Sequence, residues 1–320
     1  MNRKKLINLL KIVVSVVLIY IILRTVDINA LWGVVRHANP WLLVAALVAT
    51  MAGVVLRGYR WQILVRDQGV DATLGELTAL WFVSFLFTNL LPSGIGGDAI
   101  KMYELSRSSD RGPQAVSSVL VDRFMGLFAL QAIALGALVF AWRMLPLQVV
   151  IFTIALFGAS LLVAWIVSSR PLWDTLVRWI PPVEKLLSIK VVGALFDSLQ
   201  SYSRQALLRS FSVGLAFNVL LISMNVLIGT ALGAEVPILY YLVFVPITSI
   251  VLIAPISFAG LGVREGTYVF LFSLAGMAQE VALSLSLLVY VIGTVSPGLV
   301  GGVIYLLRGT RSYQTAEDKV

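Results

Sequence analysis

Apolar residues in this chain are grouped in long unbroken runs, not in the short alternations of elements with one wet face. Six runs, residues 6–23, 41–56, 113–141, 149–167, 211–232 and 281–307, carry few or no charges. A hydrocarbon core about 30 Å thick takes roughly 20 apolar residues per helical crossing, so these runs predict transmembrane α-helices. Two further apolar segments are interrupted. Residues 76–91 stop at Pro92, which opens Pro92-Ser93-Gly94-Ile95-Gly96-Gly97-Asp98. Residues 238–254 stop at Pro255, which opens a stretch through Ser257, Gly260 and Gly262 to Arg264-Glu265. Both predict helices broken by proline and glycine, each followed by a charged residue that opens another helix. The expected fold is an all-α polytopic bundle with broken, re-entrant helices.

Composition agrees: 59% of the 320 residues are hydrophobic and 12% charged, against about 25% charged in a soluble domain. The net charge of +8 sits at the ends of apolar runs, where the positive-inside rule accounts for it, and no basic–aromatic block suggests nucleic-acid binding. With no cysteine and the single histidine, His37, outside the apolar runs, neither a metal centre nor a cofactor is expected. Arg3-Lys4-Lys5 precedes an apolar run without a small-residue cleavage site, which reads as an uncleaved span rather than a signal peptide.

Charge placement predicts the topology. Arg57, Arg60 and Arg66 follow the second run and mark a cytoplasmic loop; Lys101, Arg107 and Arg111 follow the first break and mark the same side. Both hold if residues 76–107 form a re-entrant hairpin. The basic stretch 170–209 and the tail with Arg308, Arg311 and Lys319 then also face the cytoplasm, as does the N-terminus. The second broken segment, about 238–276, is either a second hairpin or two full crossings; the charge count allows both. The expected organisation is one transmembrane domain, in which 1–169 and 210–307 form two halves. An amphipathic cytoplasmic or interfacial connector, 170–209, joins them, and 308–320 forms a tail. Gly-aliphatic-Gly-x-charged occurs at Gly94–Asp98 and again at Gly260–Arg264, about half a chain apart. Paired Gly/Pro breaks of this kind point to a transporter's binding site and to an inverted repeat.

An ionisable side chain at the bilayer centre costs at least about 2.5–3.5 kcal/mol, so such residues are candidates for function. Asp98 and Lys101 follow the loop glycines Gly94, Gly96 and Gly97, which permit close backbone approach of an anion; the plain alternative is a capped helix start. Asp122 and Arg123 lie within an apolar helix, with Arg123 facing Asp98 or Asp122 facing Arg264 as candidate ion pairs. Arg264 and Glu265 follow Ser257, Gly260 and Gly262. Arginine's planar fork suits a phosphate, which makes Arg264 the leading ligand of an anionic headgroup. Asn89, Asn218 and Asn225 read as interhelical glue.

Asn89 to Ala99, Asp122-Arg123-Phe124-Met125-Gly126-Leu127 and Pro255 to Glu265 together resemble the lysylphosphatidylglycerol synthase transmembrane-region family, the flippase-like membrane part of the bacterial multiple peptide resistance factor and its stand-alone relatives. The resemblance implies a cell-membrane protein that moves an anionic phospholipid or lipid-linked headgroup between leaflets. Arg264, Arg123 and Lys101 would then line a central cavity opened alternately by the two breaks. The chain ends at Val320 with a short polar tail, so it is not expected to synthesise an aminoacylated lipid itself. The alternatives are an intramembrane enzyme using Asp98, Asp122 or Glu265 as acid or base, and a scaffold for a lipid-modifying partner. A homo-oligomer is compatible with either.

Overall fold

The computed structural model describes residues 33–90, 96–109, 111–169, 190–254, 257 and 260–317. The expected first span at 6–23 lies outside these residues. So do Pro92, Ser93 and Gly94 of the first break, Pro255 and Ala259 of the second, and 170–189 of the connector. The described chain is all-α: α1 (Pro40–Asp67), α2 (Leu74–Leu90), α3 (Gly96–Ser109), α4 (Gly112–Ala141), α5 (Leu147–Ser168), α6 (Lys190–Gln200), α7 (Arg204–Ala231), α8 (Ile238–Val251), α9 (Val263–Leu274), α10 (Gln279–Tyr290) and, after a π-turn at Val291–Val295, α11 (Ser296–Glu317). Among them α1, α4, α5, α7 and the stretch Gln279–Leu307 are long and apolar enough to cross a membrane. A segment in hydrocarbon must satisfy its backbone polar groups internally, and a helix does so. Large apolar side chains such as Val48, Phe140, Ile151, Leu161 and Val303 accordingly point outward. Trp41, Trp142 and Trp165, exposed near helix ends, suit the headgroup level.

Three boundaries differ from those expected. α1 runs to Asp67 instead of stopping at Leu56, so Arg57, Arg60 and Arg66 lie on a helix, not in a loop. No proline interrupts residues 57–67, and the helix stops where Gly69 adopts φ +69°. There Gly69 N–H donates to Arg66 O at 2.9 Å and Val70 N–H to Val65 O at 3.2 Å, the paired bonds of a Schellman stop. α2 then opens on a capping box: Thr73 N–H donates to Glu76 Oε2 at 2.8 Å, and Glu76 N–H donates to Thr73 Oγ1 at 3.2 Å. α7 begins at Arg204, ahead of the expected 211, because Ser203 caps it; Ser203 donates through N and Oγ to the Asp67 carboxylate at 2.8 and 2.7 Å. α11 continues past Leu307 to Glu317.

The chain divides into two compact units. One takes in the described residues up to Val55, Thr78–Ile100 and those from Val219 onward; the other comprises Leu56–Leu77 and Lys101–Asn218.

In the first unit α8 packs on α9 and α9 on α10. Tyr241, Phe244, Tyr268 and Phe272 meet there with ring centroids 4.9–5.5 Å apart. Two glycines permit close helix approach. A Cβ at Gly301 would collide with the Phe82 carbonyl, and one at Gly97 with the Ser84 carbonyl. Small residues at helix contacts are how membrane helices gain dispersion energy when lipid competes for every apolar surface.

In the second unit α4 packs against α5, and the short α6 rests on both. A buried polar cluster fastens α6. Ser198 Oγ donates to Gln68 Oε1 at 2.8 Å and lies 2.7 Å from Ser117 Oγ, which is 3.1 Å from the Tyr202 hydroxyl. Burial pushes the Tyr202 phenol above its ordinary range, against the opposing bond to Ser117.

The glycine contacts yield a paired prediction. Gly301→Ala meets backbone and should destabilise by about 1–3 kcal/mol. Gly302→Ala meets only Leu86 Cδ1 at 3.7 Å and should be neutral or stabilising, since alanine favours helix by up to about 1 kcal/mol. Thermal midpoints of the detergent-solubilised variants check this; equal shifts would contradict it.

Candidate functional site

Two buried arginines organise the candidate site residues, one in each unit. In the second unit Arg60 on α1 and Asp122 on α4 form a forked pair: Nε donates to Oδ1 at 2.7 Å and Nη2 to Oδ2 at 3.0 Å. Arg60 is 3% exposed and Asp122 1%. Asp122 lies about 15 Å along α4 from its first residue at 1.5 Å per residue, well inside the apolar stretch. One turn earlier on the same α4 face, Ser118 Oγ accepts Trp61 Nε1–H at 3.0 Å. One turn later, Gly126 leaves room for the guanidinium, whose Nη1 would lie 2.5 Å from a Cβ there. That Nη1 has no hydrogen-bond partner among the described residues. α7 closes the third side: Asn218 Nδ2 donates to Gly126 O at 2.9 Å, and the Phe217 ring lies 4.2 Å from Arg57 and 5.8 Å from Arg60. Lys101, 1% exposed, sets its ammonium 5.6 Å from the Trp61 ring, a cation–π approach.

In the first unit the second break ends on two left-handed glycines, Gly260 at φ +77° and Gly262 at φ +82°. Residues with a Cβ rarely adopt that backbone. They turn the chain into α9, whose first turn carries Arg264 and Glu265. Glu265 reaches back to accept Gly262 N–H through Oε2 at 2.6 Å. Its other oxygen, Oε1, accepts from Arg264 Nε at 3.1 Å and also from Arg264 Nη2. Arg264, 6% exposed, stacks over Tyr290 with its guanidinium carbon 4.0 Å from the ring centre. The Tyr290 hydroxyl donates to Asn89 Oδ1 at 2.8 Å, and Asn89 Nδ2 donates to Thr294 O at 3.2 Å, inside the π-turn. π-turns inside helices often mark functional sites; this one directly follows the residue under the arginine. Ser257 Oγ, in the same break, is buried without a partner among the described residues.

The sequence-derived pairings need correction. Asp122 binds Arg60, not Arg264, and the carboxylate on Arg264 is its neighbour Glu265. Arg60 looked like a loop residue because the apolar run ends four residues earlier; its buried counter-charge lets the helix carry it inward. Asp98 is half-buried in the first turn of α3 behind Gly96 and the tightly packed Gly97, and Arg123 is half-buried on α4. Gly94 lies outside the described residues. Arg60, Trp61 and Tyr290 were missed as site residues. For the first two the available signal was the absence of proline between the apolar run and Gly69. The asparagines act between helices, as expected: Asn89 and Asn218 as above, and Asn225 by accepting the Tyr268 hydroxyl at 2.6 Å.

Comparison with known proteins agrees with this architecture. A family model described as the lysylphosphatidylglycerol synthase TM region matches residues 8–301. A UPF0104 membrane protein of Methanothermobacter thermautotrophicus is 24% identical over 297 residues, covering 85% of this chain and 86% of its own.

Breaking one side of a buried ion pair typically costs about 3–5 kcal/mol, whereas replacing both partners with apolar residues is often neutral. Arg60→Met and Asp122→Leu should each lower the thermal midpoint sharply, and the double variant should recover most of the loss. A double variant as unstable as the worse single one would show that the pair does not act as a unit.

Proposed function

The chain belongs to the lysylphosphatidylglycerol synthase transmembrane-region family, and from that membership we propose that it transports an anionic lipid, a phospholipid or lipid-linked headgroup, between the leaflets of the cell membrane. The observation that carries the proposal is the break before α9. There a buried arginine and a buried serine hydroxyl without a described partner belong to one glycine-turned segment of the chain. Broken helices tolerate free backbone at membrane depth only where it faces protein or a wet cavity, and arginine's fork is matched to phosphate.

The chemistry asked of this site is exchange. Without lipid, Glu265 neutralises Arg264 and holds its side chain over Tyr290. An arriving phosphate diester replaces Glu265 as the guanidinium's partner, Ser257 donates to a phosphate oxygen, and Glu265 keeps its bond to Gly262 N–H. No helix has to move to make this swap, because both carboxylate and cation belong to the first turn of α9. The acyl chains remain among the outward-facing apolar side chains throughout. α2 and α3, with 17 and 14 residues, are each shorter than the roughly 20 a crossing takes, which favours a hairpin entering from the cytoplasmic face. The basic ends of α1 and α3 and the chain termini share that face in this reading.

The carboxylates favour transport over catalysis. Without lipid, both oxygens of Asp122 and both of Glu265 are occupied by bonds from arginine or backbone N–H groups.

Reconstitution of the purified protein into vesicles with fluorescent anionic lipid in both leaflets tests the proposal. Wild type should accelerate exchange over protein-free vesicles, and Arg264→Ala, folded by size-exclusion profile, should lose at least tenfold of that acceleration. Wild type indistinguishable from empty vesicles, or from Arg264→Ala, would overturn it. Mass spectrometry of the same lipids after incubation should find them chemically unchanged; a product would favour the enzyme reading.

A further inference from the structure

Within the second unit, the last turns of α1 and the first turns of α7 enclose a cavity of about 330 Å³ that the transport site does not use. Tyr59, Gln62 and Arg66 line it from α1 and Gln205 and Arg209 from α7, with Asp67 and Ser203 at the junction. We propose that this cavity binds the phosphate headgroup of an anionic phospholipid between Arg66 and Arg209.

The charge argument comes first. Both arginines are exposed, and neither forms an ion pair among the described residues. The one carboxylate in the cavity wall is committed elsewhere: Asp67 accepts from Ser203 N and Oγ, and Ser203 Oγ accepts Ala206 N–H at 3.1 Å. Asp67 therefore serves as the structural cap of α7, and the wall keeps an excess of cation. Two guanidinium forks facing one space can each bind a phosphate oxygen bidentately, while Tyr59, Gln62 and Gln205 add uncharged polar groups suited to a headgroup alcohol.

Size and setting select the ligand. The cavity lies at the lower end of the roughly 300–1,000 Å³ range of small-molecule sites, enough for a phosphoglycerol-sized group and too small for a whole lipid. It lies at the polar ends of two helices long and apolar enough to cross a membrane, where such helices meet lipid headgroups. Beside it in the chain, Tyr202 and Leu207 bracket Ser203–Ala206 and line a second, largely apolar cavity of about 210 Å³ with Leu120, Phe124 and Leu199. Leu208 on α7 is 67% exposed. A diacyl lipid fits these surroundings, its phosphate between the arginines and a chain against the apolar wall. The site stands independently of the transport reading, since it binds lipid whether or not lipid crosses.

The test is native mass spectrometry of the delipidated full-length protein in detergent, titrated with phosphatidylglycerol or with phosphatidylcholine of the same acyl chains. Wild type should bind phosphatidylglycerol at least tenfold more tightly than phosphatidylcholine. Arg66→Gln/Arg209→Gln should remove at least tenfold of the phosphatidylglycerol affinity. Arg107→Gln/Arg204→Gln removes the same charge from exposed positions that do not line the cavity, and should cost less than threefold. If the double variant does not purify as a single species, Arg66→Gln and Arg209→Gln should each cost at least threefold. Equal weakening by the control pair, equal binding of the two lipids by wild type, or displacement of phosphatidylglycerol by equimolar glycerol 3-phosphate would each overturn the assignment. The last would mean a site for free phosphate esters.

Discussion

A cation buried among apolar helices must bring its counter-charge with it, and the bond between Arg60 and Asp122 is where this protein meets that requirement. Each residue alone would impose several kcal/mol of uncompensated desolvation. Together they tie α1 to α4 in a single register. A slip of one helical turn, about 5.4 Å, would leave both charges stranded and break the adjacent Trp61–Ser118 bond. The surrounding residues follow from that choice. Gly126 lacks a side chain because the guanidinium occupies its space, and Asn218 binds the carbonyl that the glycine leaves open. Apolar contacts between membrane helices discriminate weakly among registers, because lipid offers the same contacts. The ion pair supplies the selectivity that packing lacks.

The first unit satisfies the same requirement by local means, with different consequences. Arg264 and Glu265 are consecutive, and consecutive helical side chains ordinarily diverge by about 100°. They meet because Glu265 turns back to cap Gly262, which brings its second oxygen to the guanidinium. A pair held within one turn can open without separating two helices, whereas the Arg60–Asp122 pair cannot. In the proposed exchange the two buried arginines therefore take different work: Arg60 holds architecture, and Arg264 trades partners. Tyr290 below Arg264 is in turn anchored through Asn89 to the π-turn, which fixes the platform under the guanidinium.

Helix ends carry as much information as helix middles. The Schellman stop at Gly69, the capping box at Thr73 and the Asp67–Ser203 cap lie close together in the second unit and settle where apolar helix gives way to polar surface. The α7 cap ties Asp67 to Ser203, so the recess lined by Arg66 and Arg209 holds two cations to one carboxylate.

Much of this protein could be read from its residues. Run length and the scarcity of charge required spanning helices, since water-soluble folding offers no place for so much apolar surface. Pro and Gly marked the two broken segments, because one lacks a backbone donor and the other admits the left-handed turn seen at Gly260 and Gly262. The resemblance carried by Asn89–Ala99, Asp122–Leu127 and Pro255–Glu265 was sufficient to place the chain in its family. What stayed hidden were the partners. A hydropathy pattern ends a span at the first arginine, yet Arg60 continues one, because its cost inside the membrane depends on a carboxylate 62 positions away in the chain. Likewise Arg264 could have answered to any buried acid until the turn at Gly262 brought Glu265 to it. Local chain chemistry determined which segments enter the membrane; only the folded arrangement decided which charges meet there. The energy of a buried ion is set by what surrounds it in space, not by its neighbours in sequence.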